Sequence, residues 1–290
     1  MTFTLFLEQA FNGFQAGITL FLIAAGLTLI LGIMDFVFLA HGSQVMIGAY
    51  AAASLTALTQ NFYLGILFAI PISFFAGYAL EYLVIRHLYK RDHMEQVLAT
   101  FGLILFFNEA IRVGFGPAAL HSNLPASLSG FVYILPEIPY PEFRLLVILV
   151  GFACAIGIHL LVSRTRLGAT VRAGASNAAM TAALGVNITR LRRLVFAIGA
   201  CFAGVAGMML GPLTSVEPGM GEPLLILSLV VIIIGGIGSV RGAFIAAIIV
   251  GMVDTMGRVM LPVILRSFME QASADGAGPA LASMMVYILM

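Results

Sequence analysis

Apolar positions along this chain come in long uninterrupted blocks, near residues 11–33, 40–58, 62–85, 96–114, 144–162, 193–213, 223–237, 242–261 and 279–290. A helix rises about 1.5 Å per residue and a bilayer's hydrocarbon layer is about 30 Å thick, so a span needs about 20 mainly apolar residues. Several blocks meet that length. None shows the period-two alternation of a membrane strand, and an open strand in lipid would leave its backbone groups unpaired, so the blocks predict helices. The expected fold is an all-α integral membrane protein, a polytopic bundle of about eight or nine transmembrane helices, forming a single transmembrane domain over residues 1–290. The last block, Pro279 to Met290, has twelve residues and is too short to cross unaided, so a partial span or a shortened sequence is expected.

The polar interruptions set the orientation. The fourteen Arg and Lys residues are unevenly placed: Arg86, Lys90 and Arg91 mark one loop, and Arg164, Arg166, Arg172, Arg190, Arg192 and Arg193 mark another. Short cytoplasmic loops retain positive charge, which places both loops, including 164–192, in the cytoplasm. Segment 115–143 carries Glu137, Glu142 and five prolines but neither Arg nor Lys, and reads as an external loop. Segment 214–223, with Glu217 and Glu222, reads the same way. Threading the spans through these loops puts the N terminus outside and the C terminus inside.

Composition agrees with this picture: 61% hydrophobic and 9% charged residues, with a mean hydropathy of +1.08, against roughly 25% charged residues in soluble domains. A net charge of +1 with no Trp and no basic tract gives no reason to expect nucleic acid. Cys154 and Cys201 lie within apolar blocks, where a thiol packs as a small hydrophobe. The first residues lack the positive n-region of a cleaved signal, so the first span is expected to be retained.

Two stretches break the apolar pattern with glycine and polar residues, Gly26 to Ser43 and Ile232 to Gly242. Broken or re-entrant helices of this kind are tolerated in membranes where protein covers the freed backbone. The stretches echo each other: Gly42 stands six residues before Gly48-Ala49-Tyr50, and Gly236 six before Gly242-Ala243-Phe244. An internal repeat with the pathway at its interface is one reading, and Gly-Ala pairs placed for close helix packing are the other. The candidate path residues are Asp35, His41, Gly42, Asn108, Glu109, Gly235, Gly236, Gly238 and Ser239. Asp35 and His41 are either intramembrane functional groups or simply wet at a chain reversal. Glu109 shares a helix face with Arg112, as a vestibule lining or an interfacial ion pair, and His159 and Asp254 are weaker candidates.

The second basic loop holds good helix formers and small residues between Gly174 and Gly185, suited either to a groove on a soluble partner or to an ordinary interfacial helix. At this point the chain resembles the shorter permease subunit of branched-chain amino acid ABC transporters. The resemblance runs in order through Gly26-Leu27, Ala40-His41-Gly42, Gly48-Ala49-Tyr50, Thr100-Phe101-Gly102, Gly116-Pro117, Thr165-Arg166-Leu167-Gly168, Ala182 to Asn187, Gly211-Pro212, Gly235 to Ser239 and Gly242-Ala243. It implies an importer in the inner membrane of a bacterium, with a second homologous permease, two ATP-binding cassette ATPase subunits and a periplasmic substrate-binding protein as partners. It also implies an ATPase-coupling helix, carried over to Ala175, Asn177, Ala179, Met180, Ala182, Ala183, Leu184, Gly185 and Asn187. Members of the family commonly have an acidic residue near Asn177 and a basic tail beyond the last span. Here there is a neutral amide, and the chain stops at Met290.

This chain is not expected to bind a cofactor or metal. The sole lysine, Lys90, precedes Arg91, so the Lys-Ser/Thr pair of a Walker A loop is missing, and ATP and Mg belong to partner subunits. Asp35, Glu109 and Asp254 are scattered and form no catalytic pair. The alternatives are the same permease class carrying another small solute, such as other amino acids, amides, urea or aromatic acids, or a secondary transporter or channel.

Overall fold

The computed structural model describes residues 3–34, 36–122, 124–135 and 138–290. Every apolar block becomes a helix: α1 (Phe3–Met34), α2 (His41–Thr59), α3 (Phe62–Leu80), α5 (His93–Phe115), α6 (Glu142–Arg164), α9 (Ile188–Leu210), α10 (Glu222–Gly235), α11 (Val240–Leu265) and α12 (Gln271–Leu289). A π-helical turn, Glu81–Ile85, prolongs α3 into the short α4 (Arg86–Leu88), and α7 (Arg166–Ser176) and α8 (Ala178–Ala183) fill the second basic loop. Six helices among the described residues are long and apolar enough to span a bilayer.

Helix α1 is the axis of the bundle, with nearly nine-tenths of its most apolar window buried. It packs against α9, α11 and α6, while α9 also packs against α2 and α3. Small residues make these approaches possible. A Cβ on Gly199 would lie 2.8 Å from the Gly26 carbonyl oxygen, and a Cβ on Gly17 would lie 2.8 Å from that of Ala247. In lipid, where the tails are as apolar as leucine, this close backbone packing holds helices together.

Contacts along the helices fix their directions. Gly13 meets Met252 and Gly32 meets Gly238, so α1 and α11 are antiparallel. Glu81 meets Arg193 and Ser73 meets Gly204, so α3 and α9 are antiparallel too. One end of the bundle therefore gathers the two basic loops, and is called the basic end below. The other, far end gathers residues 116–122, 124–135 and 138–141 and the α2–α3 turn, where the Tyr63 and Ser127 hydroxyls meet at 3.0 Å. The turn itself is stopped by Gln60 in the left-handed region (φ 52°), and Asn61 caps α3.

Two helices are half-helices. After α1 reaches the basic end the chain returns inward, and His41 opens α2 beside Ile23, eleven residues before α1 ends and about 16 Å along its axis. After α9 reaches the far end, residues 211–221 likewise re-enter, and Gly221 meets Gly42. From that meeting point α2 runs to the far end and α10 to the basic end. The unit α1–α2–α3 is thus repeated upside down as α9–α10–α11, and each unit packs its third helix on the other's first.

Three expectations change. The counterpart of Gly42 in the repeat is Gly221, not Gly236, because the Gly235–Ser239 break is a hairpin turn and not a re-entry. The final helix has 19 residues, not twelve; its first turns, Gln271 to Gly278, are small and polar and so escape a hydropathy reading. The far-end loop carries a two-stranded antiparallel ribbon, β1 (Phe131–Leu135) and β2 (Ile138–Pro141), with Val132 opposite Tyr140. It is pinned to α1 by the buried Tyr140, whose hydroxyl donates to the Phe11 carbonyl at 3.2 Å.

Candidate functional site

The structure distributes the sequence-derived candidates over three levels of the bundle. Asp35 lies outside the described residues. His41 and Gly42 sit halfway along, fully or nearly buried, where the two half-helices meet. One ring nitrogen of His41, Nε2, lies 3.1 Å from the Ile23 carbonyl oxygen, and its ring meets that of Phe38 edge-on, which in turn packs on Phe196. The Nδ1 atom of His41 and both side-chain ends of the buried Gln44 find no hydrogen-bond partner among the described residues. Unpaired buried polar atoms cost about 1–3 kcal/mol each, so such a concentration at the helix break is a feature to explain.

Above this level, α5 leans on the re-entrant segment. The Asn108 amide donates to Glu222 at the α10 N-terminus at 2.6 Å, where a carboxylate also suits the helix dipole. Beside it Met46, Tyr50 and Val216 form a small apolar cluster with Phe107, Ile111 and Met220, and Phe115 lies 4.9 Å from Tyr50. On the outer side of α5, Glu109 and Arg112 pair at 2.8 Å while remaining more than half exposed. Charged groups exposed partway down a span, flanked by exposed Leu105, Phe106 and Val113, are costly against lipid. This side of α5 is suited to a protein partner or a wet path.

Gly235, Gly236, Gly238 and Ser239 lie at the basic end. Gly236 and Gly238 adopt φ of 86° and 83°, the left-handed region that glycine enters freely, and Ser239 caps α11 by accepting from Gly242 N at 3.1 Å. Gly235 lets α10 and α11 close on each other. Beside this hairpin is a cavity of about 730 Å³ that it shares with Gly32 on α1 and with Ala175 and Ser176 on the basic loop. The break is therefore joined to the loop helices and not to His41.

All nine residues carried over as ATPase-coupling, from Ala175 to Asn187, are exposed, whereas Thr181 in their midst is buried. The local chain explains the shape. Thr165 caps α7, Asn177 caps α8 by accepting from Met180 N at 2.9 Å, and Asn187 caps α9 by accepting from Arg190 N at 3.0 Å. Gly185 turns the chain at φ 89°. The result is a short knob presenting Met180 and Leu184, 62% and 78% exposed. The Asn177 side chain thus acts as a helix cap. Asn177→Ala is expected to lower helix-end stability by about 1 kcal/mol while Asn177→Asp keeps the cap, as read by amide exchange of Met180 and Thr181.

The sequence reading missed a second cluster at the basic end. Glu81, fully buried, accepts from Arg193 Nε at 2.9 Å and from the Tyr89 hydroxyl at 3.2 Å. The Arg193 guanidinium also stacks over the rings of Tyr78 and Tyr82, and Arg192 over Tyr89. Burial, and then the Glu81 carboxylate, push the Tyr89 hydroxyl well above its usual range, so it remains a donor. The cluster ties α9, which follows the knob, to the π turn of α3. A π turn inside a helix is a frequent mark of function.

Long spans and paired half-helices together define a polytopic helical membrane protein. A family model described as branched-chain amino acid transport system / permease component matches residues 9–290. The chain is 30% identical over 269 residues to the high-affinity branched-chain amino acid transport system permease protein BraD of Pseudomonas aeruginosa, covering 87% of this chain and 86% of that protein. With the corresponding protein LivH of Escherichia coli it shares 28% over 273 residues, 89% and 88% of the two chains. With the probable branched-chain amino acid transport permease protein LivH of Methanocaldococcus jannaschii it shares 28% over 252 residues, 82% and 76%. No solved structure matches. The chain belongs to the family of branched-chain amino acid transport system permease components.

Proposed function

We propose that this chain is the transmembrane permease subunit of an ATP-driven importer of branched-chain, aliphatic amino acids in a bacterial inner membrane. It forms the path with a second homologous permease, is driven by two ATPase subunits docked at the basic end, and receives substrate at the far end from a periplasmic binding protein. Hydrolysis of ATP belongs to the partners, and this chain catalyses nothing. The basic end faces the cytoplasm by the distribution of Arg and Lys.

The observation that carries the reading is the exposed, capped knob Ala175–Asn187, anchored by the buried Thr181 and set against the α10–α11 hairpin. A knob of small residues with Met180 and Leu184 at its tip fits a shallow apolar groove. The path follows the α5 side, from Asn108 and Glu109 inward to the His41–Gly42 level, where apolar walls and unpaired polar atoms suit an aliphatic amino acid. Ala182→Arg and Gly185→Trp are expected to abolish substrate-stimulated ATP hydrolysis in the reconstituted complex while the protein is still inserted. Intact stimulation in both would remove the coupling assignment.

A further inference from the structure

We propose that the cleft between α6 and α11 at the basic end is a binding site for one anionic phospholipid. The cleft has a volume of about 430 Å³. Phe21 of α1 forms its floor, with Phe244 edge-on at 5.0 Å and Phe152 a further 5.9 Å from Phe244. The rest of the wall is aliphatic except at one end, where His159 of α6 and Arg241 of α11 line it.

The two polar groups share an end because the helices run oppositely. Helix α6 approaches the basic end as His159 is reached, and α11 has just left it at Arg241. The α6 wall uses residues 152, 155, 156 and 159, one stripe of a helix, and the α11 wall uses 240, 241, 244 and 245. The result is an apolar trench, open to the hydrocarbon at the half-exposed Ile156 and Ile245, leading to an exposed guanidinium at the membrane surface. That is the shape and charge of an acyl chain joined to a phosphate. None of the ion pairs among the described residues uses Arg241. No carboxylate lines the cleft, which disfavours a zwitterionic amino acid, whose ammonium would go unpaired. Basic pockets between spans at the cytoplasmic surface are suited to anionic headgroups.

The test is native mass spectrometry of the purified permease complex exchanged into nanodiscs of mixed phosphatidylglycerol and phosphatidylcholine. The wild type is expected to retain phosphatidylglycerol in preference by about five-fold, from a single guanidinium near the surface. Arg241→Ala with His159→Ala removes the preference, Arg241→Lys keeps it, and Ala155→Phe, which fills the trench, lowers retention of both lipids. Equal retention of the two lipids by the wild type, or an unchanged preference in the double variant, overturns the proposal. Should that variant fail to insert, the wild-type competition and Arg241→Lys decide. An efficient disulfide between Ile156→Cys and the second permease subunit also overturns it, since protein would then occupy the cleft.

Discussion

Arg193→Ala is expected to be among the most destabilising single substitutions in the chain, lowering stability by roughly 3–5 kcal/mol because it strands a buried carboxylate. Glu81 is completely inaccessible and the Arg193 side chain only 15% exposed, so neither water nor salt can take over the lost partner. Tyr89 alone offers one hydroxyl to a group that needs charge compensation. The exposed pairs supply the contrast: Arg91–Glu95, with both side chains more than half exposed, is worth about 0–1 kcal/mol. Melting of the detergent-purified protein reads the difference. Glu81→Gln combined with Arg193→Met is expected to recover most of the loss, because removing both charges removes the penalty. An Arg193→Ala protein no less stable than Arg91→Ala would show that the cluster does not tie α9 to α3 as described.

The second large effect is steric. Gly48 on α2 lies so close to Gly204 on α9 that an added Cβ falls within van der Waals overlap of backbone atoms, which no rotamer change relieves. Overpacking of this kind costs about 1–3 kcal/mol, and more where backbone must shift. Gly48→Ala is expected to displace α2, open the His41–Gly42 meeting point and abolish transport. Gly157→Ala on α6, with nothing within 4 Å of the new atom, is expected to be neutral or slightly stabilising, since alanine is the better helix former by about 1 kcal/mol. Membrane-inserted yield and uptake of labelled leucine, compared between the two variants, check this.

Much of the architecture was legible because hydropathy reports burial in lipid directly. Each apolar block lies on a helix, and the basic loops do gather at one end. The Glu109–Arg112 pair was legible as well, being local in the chain. What escaped depends on long-range geometry. A block such as 223–237 gives no sign that α10 begins halfway through the bundle, because a re-entrant half-helix is as apolar as a full span. Gly221 and Gly42 are 179 positions apart, and nothing in either local sequence marks their contact. Glu81 sits inside an apolar block just before Arg86, where a carboxylate reads as a helix end meeting water, and its partner lies 112 positions away. The echo of Gly42 in Gly236 misled for a physical reason: glycine serves a left-handed turn at Gly236 and a close helix approach at Gly42, and composition does not separate the two uses.

The most direct measurement is uptake of labelled leucine into proteoliposomes holding this chain with its second permease and two ATPases, with the binding protein at the far end and ATP supplied at the basic end. Uptake is expected to require both ATP and the binding protein, and to stop in the Ala182→Arg variant. Uptake that runs without ATP, or that an ion gradient drives in its place, would contradict the assignment of this chain to an ATP-driven importer.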